Sequence, residues 1–127
     1  MAIDTIDNTT RSAMCDAFVD RIDAGGGAGL LEIHDAGFSN KLATLTFSDP
    51  AYGAAASGVA QENTITDDSS ADVTGTAATL RVTTSDPTTL FQGEVGTSGK
   101  DINFNSVSFV AGDTVSVTDL PITMPAG

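Results

Sequence analysis

The chain carries one cysteine (Cys15), one histidine (His34), one tyrosine (Tyr52), no tryptophan, and only five Lys and Arg in 127 residues. Each shortage excludes something. A single cysteine cannot close an intrachain disulfide, and at an apolar helical position it reads as a buried thiol. One cysteine and one histidine cannot supply an ordinary structural zinc site within one chain. The cations Arg11, Arg21, Lys41, Arg81 and Lys100 are scattered and stand against 17 acids, for a net charge of −12 and a pI near 4.1. Nucleic-acid binding draws its affinity from phosphate neutralisation by Lys and Arg, so neither nucleic acid nor an anionic membrane is an expected partner. No apolar run approaches the ~20 residues that span a bilayer. No basic-then-apolar stretch marks the N-terminal segment, and the expectation is synthesis in the cytoplasm with release by lysis or another route. A glycan-binding module usually offers exposed Trp or Tyr, and Tyr52 alone makes that a distant alternative.

What is present suits one small β-rich domain. The 127 residues can bury one real core, and a mean hydropathy of +0.07 argues against a disordered acidic tail. Thirteen glycines with abundant Thr, Ser and Asp favour short strands and tight turns. One helix is expected from about Asn8 to Asp23, with Met14, Cys15, Phe18, Val19 and Ile22 on one face and Asp16, Asp20 and Asp23 away from it. Asp7 or Asn8 can cap it, and the Gly25-Gly26-Gly27 run ends it. From Leu30 the period becomes two: Leu31/Ile33, Ala43/Leu45/Phe47, Ala78/Leu80/Val82, Phe91/Gly93/Val95, Ile102/Phe104, Val107/Phe109, Val115/Val117 and Ile122/Met124. Turn clusters separate them, Ser85-Asp86-Pro87-Thr88 being the strongest hairpin signal. The expected fold is mainly β, an antiparallel β-sandwich or barrel with one N-terminal amphipathic helix. Its expected division is residues 1–29, helix and glycine hinge, and residues 30–127, β-sandwich domain.

Candidate chemical sites are sparse. The Gly25-Gly26-Gly27-Ala28-Gly29 run has the composition of a phosphate loop but follows a helix and precedes a strand, the reverse of the order that aims amides at phosphate. His34 lies at a polar strand position with no nucleophile-elbow pattern nearby, so it reads as solvated or locally hydrogen-bonded rather than as a triad base. Asp67, Asp68 and Asp72 could offer hard oxygen ligands to Ca²⁺, but the EF-hand spacing is missing and an ordinary acidic turn is expected. Asn8-Thr9-Thr10 matches a glycosylation sequon, which carries little weight without a secretory signal. No catalytic, cofactor or metal residues are assigned, and the expectation is a protein that is not an enzyme.

Three segments carry a resemblance: residues Thr64 to Ala77 (TITDDSSADVTGTA), Gly93 to Ser106 (GEVGTSGKDINFNS) and Val115 to Thr123 (VSVTDLPIT). Together with the order of short helix, glycines and a Leu-Glu-Ile strand, they resemble small virion structural proteins of tailed bacteriophages and prophages over most of the chain. In those proteins an aromatic often precedes the Arg of the central strand; Leu80 precedes Arg81 in this chain. The resemblance implies a virion component and transfers no active-site residue. The expected role is a capsid decoration or cement protein on the outside of the head shell, with a tail or head–tail junction component as the alternative. The expected partners are the major capsid protein, copies of the chain itself, or both, with a homo-oligomer expected and the capsid surface as the location. The candidate interaction face is Met14, Phe18, Val19 and Ile22, free to dock on a neighbour if the glycines act as a hinge.

Overall fold

Asp7 opens the helix in extended geometry, and its carboxylate accepts the Thr10 N–H at 2.7 Å. Such a cap satisfies one of the orphan amides of the first turn. Helix α1 then runs over Asn8–Asp20 and tightens into a 3-10 turn at Arg21–Asp23. The structure is a computed structural model that describes residues 5–126.

The chain is mainly β beyond the helix. Nine strands follow among the described residues: β1 (Leu30–His34), β2 (Lys41–Thr46), β3 (Val59–Ala60), β4 (Gly75–Thr76), β5 (Thr79–Thr83), β6 (Thr89–Gly96), β7 (Ile102–Asn103), β8 (Ser108–Phe109) and β9 (Ile122–Thr123). Five of them form a curled sheet in the order β2-β1-β5-β6-β7, and two short ladders, β3–β9 and β4–β8, complete the body. The Ser85-Asp86-Pro87-Thr88 hairpin forms as expected, with the Thr84 N–H donating to Thr88 O at 3.0 Å and the Thr88 N–H to Thr84 Oγ1 at 3.1 Å.

The sheet is mixed rather than wholly antiparallel. After Gly96 the chain loops back, the Asp101 carboxylate accepts the Glu94 N–H at 2.8 Å, and Ile102 then runs beside Val95 in the same direction. Val115 makes only a single bridge to Asp68, so the expected strand there does not extend. Strands β3 and β4 are two residues long and too short for alternation to signal them.

Alternation does assign the sheet's faces. Leu31 and Ile33 of β1 register with Leu45 and Ala43 of β2 and with Val82 and Leu80 of β5, and all six are at most 1% exposed. Cys15, Val19 and Ile22 of the helical segment belong to the same apolar cluster, with exposures of 0, 3 and 0%. Burying a side chain such as Ile22 is worth roughly 1.5–3 kcal/mol.

The glycine run is not a free hinge. Gly26 takes the left-handed φ of +83° that ends the helical segment. Gly29 is wedged so tightly that a Cβ there would stand 2.8 Å from the Thr83 carbonyl oxygen. The Ser85 hydroxyl donates to Gly25 O at 2.8 Å and the Phe47 N–H to Gly29 O at 3.0 Å. Residues 1–29 therefore do not form a detached arm over the range described; helix and strands share one core. No helix among the described residues is long and apolar enough to cross a membrane.

Candidate interaction surface

The helix is fixed by its polar side as well as by its apolar stripe. Asp16 accepts the Ala55 N–H at 2.7 Å, Asp23 accepts the Ala51 N–H at 3.1 Å, and the Ser12 hydroxyl accepts the Gly58 N–H at 3.1 Å. These three side chains anchor the Ala- and Gly-rich 51–58 segment, whose composition alone gives no strand or helix. Burial raises the Asp23 pKa above its ordinary value of 3.8; the Ala51 N–H opposes that shift, while Asp49 and Asp20 add to it.

The C-terminal segment is pinned to the same side. Arg11 donates through Nε and Nη2 to Met124 O at 3.1 and 2.8 Å, and the Cys15 thiol donates to Ile122 O at 3.3 Å. Burial raises the Cys15 pKa, which suits an unreactive thiol. The Tyr52 hydroxyl donates to Leu120 O at 2.7 Å, and the Leu120 N–H donates to Glu62 at 2.6 Å. Tyr52 is only 5% exposed, and burial, then the Glu62 charge, pushes its phenol pKa far up. Its ring is core and is not offered to a ligand.

These ties leave a groove of about 400 Å³ between helix, sheet and C-terminal segment. Leu80 and Leu120 are its buried members, Phe18 and Phe91 form one wall, and Ile122 and Met124 stand on the other side. Phe18 packs on Phe91 with ring centroids 5.0 Å apart. Beyond this aromatic ridge lies a second depression of about 370 Å³, bounded by Arg21, Thr88, Thr89 and Leu90. The residues lining the two hollows include one acid, Asp101, and one base, Arg21. On a chain of net charge −12, this is a locally neutral, half-apolar strip.

The expected interaction face is therefore corrected. Val19 and Ile22 are consumed by the chain's own core, because the helix turns its 15/19/22 stripe onto the sheet. Met14 is 41% exposed and Phe18 is half-buried in the groove wall, so these two remain of the four. Phe91 of β6, and Ile122 and Met124 of the C-terminal segment, line the groove with Phe18, while Met14 lines neither hollow. Their apolar alternation is visible in the sequence, but nothing local tells that residues 18, 91 and 122 meet.

The sheet's other face carries a buried polar pair. His34 Nε2 lies 2.9 Å from Glu32 Oε1, and the two residues are 5 and 9% exposed. A carboxylate only accepts, so the Nε2–H donates to Glu32; among the described residues Nδ1 is buried without a partner, as is Arg81 Nε. The Arg81 guanidinium lies 4.7 Å from the Phe38 ring centroid, and Phe38 holds a left-handed φ of 57°. The one hydrogen bond of the His34 ring goes to Glu32, so no Ser or Thr hydroxyl is coupled to it among the described residues. His34 is thus locally hydrogen-bonded, not solvated.

The acidic loop is used structurally. The two carboxylate oxygens of Asp68 accept the Thr44 N–H at 2.8 Å and the Ser70 N–H at 3.0 Å, which fixes the loop to the edge of β2. Among the described residues no group of three or more His, Cys, Asp and Glu side chains is placed to hold a metal. No protein-family model, no curated protein and no solved structure matches this chain.

Proposed function

We propose that the chain is a structural component of a tailed-bacteriophage virion, and within that class a capsid decoration or cement protein bound to the outside of the head shell. The observation that carries the docking part of this reading is the neutral, half-apolar groove around Phe18 and Phe91 on a body of net charge −12. Apolar surface of this kind on a small soluble domain marks an interaction site. The sequence resemblance of the 64–77, 93–106 and 115–123 segments supplies the virion context. In this reading the curled sheet and its two ladders serve as a sandwich- or barrel-like body displayed on the particle, and no catalysis is assigned to it.

The expected partners are the major capsid protein and further copies of the chain, and the location is the capsid surface. The test is quantitation of this chain against the major capsid protein in purified virions. A ratio of one per capsid subunit, or one per few subunits, supports decoration. A handful of copies per particle would move the chain to the tail or head–tail junction, and its absence from the particle would end the virion reading.

A further inference from the structure

The groove's shape and charge point to one occupant. Phe18 and Phe91 line both hollows, so the aromatic pair stands as a ridge between them. A ridge beside a hollow can fit a copy of itself related by a twofold axis, each ridge entering the other's hollow. Such isologous contacts are the commonest way for a chain to pair with itself.

The charges agree with that arrangement. Arg21 borders one hollow and has no ion-pair partner among the described residues; Asp101 borders the other. A twofold arrangement brings the Arg21 of each copy toward the Asp101 of the other, so the two opposite charges are used twice. Two bodies of charge −12 repel each other over most of their surfaces. The hollows beside the ridge are lined by one acid and one base, so two copies approach there at little electrostatic cost.

We infer that the occupant of the groove is a second copy of this chain, docked ridge into hollow as a twofold dimer with Arg21 facing the partner copy's Asp101. This names the partner for the docking surface of the proposed function and rests on that reading of the groove, but its test needs no particle.

Sedimentation velocity of the purified full chain across a concentration series is the experiment. A concentration-dependent species of twice the 12.8 kDa chain mass is expected. Phe18→Asp places a carboxylate on the ridge and should leave only monomer, with the circular dichroism of the wild type. Arg21→Glu, an exposed change outside the core, should raise the dimer dissociation constant by roughly tenfold, because two attractive contacts become repulsive. If Phe18→Asp fails to fold, Arg21→Glu decides alone. A wild-type chain that stays monomeric throughout, or a dimer that Arg21→Glu leaves unchanged, overturns the inference. Virions rich in a chain that is monomeric in solution would sink the dimer and leave the virion reading standing.

Discussion

On one face of the five-stranded sheet, Leu31, Ile33, Leu80 and Val82 lie in a core completed by the helix; on the other, Glu32 and His34 are almost as buried beside the loop that carries Phe38. The first face is held by apolar area and by side chains that clamp backbone: Asp16, Asp23, Ser12 and Arg11 each fix a neighbouring segment. The second face combines a carboxylate–imidazole hydrogen bond, a guanidinium–ring contact, the His34–Phe38 ring contact and the Thr79 hydroxyl donating to Asp35 O at 2.8 Å. Burial by itself therefore does not say what stabilises a face. Apolar burial tolerates small shifts, whereas a buried polar pair depends on each partner being present.

The largest expected effect separates the two faces. Ile22→Ala leaves a cavity between helix and sheet and should cost roughly 2–5 kcal/mol, read from urea denaturation. Removing residues 1–29 should abolish cooperative unfolding, because it strips Cys15, Val19 and Ile22 from the core at once. A truncated chain that still unfolds cooperatively would restore the detached-arm picture. On the polar face, Glu32→Ala leaves the His34 imidazole buried without its partner and should cost about 1–3 kcal/mol. Glu32→Gln keeps an oxygen to accept the Nε2 proton and should cost less than Glu32→Ala. If the two substitutions cost the same, the hydrogen bond contributes nothing to that face.

Acid titration distinguishes the regions by sign rather than size. Asp35 in the Phe38 loop accepts the Asn40 side-chain and backbone N–H groups, and its pKa lies below the ordinary 3.8. Its stabilisation is present above pH 3.8 and is lost as pH falls through the lower folded value. Asp23 on the helix side is raised, so its charged form is penalised in the folded state at neutral pH, and that penalty fades as pH falls through its folded value toward 3.8. Urea midpoints measured against pH should show Asp35→Asn flattening the acid loss of stability. Asp23→Asn should match or exceed wild-type stability at neutral pH, since its amide oxygen still accepts the Ala51 N–H. A clear loss at neutral pH would show that the Asp23 charge is stabilising and that the reading of its burial is wrong.

Much of the fold is legible in residue patterns, and the exceptions have physical causes. The helix from Asn8, the Asp7 cap, the Ser85–Thr88 hairpin and the apolar face of β1, β2, β5 and β6 follow from periodicity and turn chemistry. The parallel β6–β7 pair does not, because it depends on a loop-back at Asp101 that no alternation encodes. The glycine run reads as flexible by composition, yet Gly29 is required by close packing against Ile22 and Thr83. The sequence places Asp16 and Asp23 away from the helix's apolar stripe but does not show that they are backbone acceptors for a segment without pattern of its own. Of the proposed interaction surface, Phe18 is accessible to sequence reasoning, whereas Met14 is exposed but lines neither hollow. Phe91, Ile122 and Met124 are not accessible in this way, because their convergence is a long-range outcome of how the sheet curls under the helix.

The central claim is that Phe18 belongs to an assembly surface while its helical neighbours Val19 and Ile22 belong to the core. The most direct test offers wild-type and Phe18→Asp chains to particles lacking the protein and measures incorporation beside circular dichroism. The account predicts a Phe18→Asp chain with the wild-type β signature and strongly reduced incorporation. A folded Phe18→Asp chain that occupies particles as fully as the wild type would contradict it.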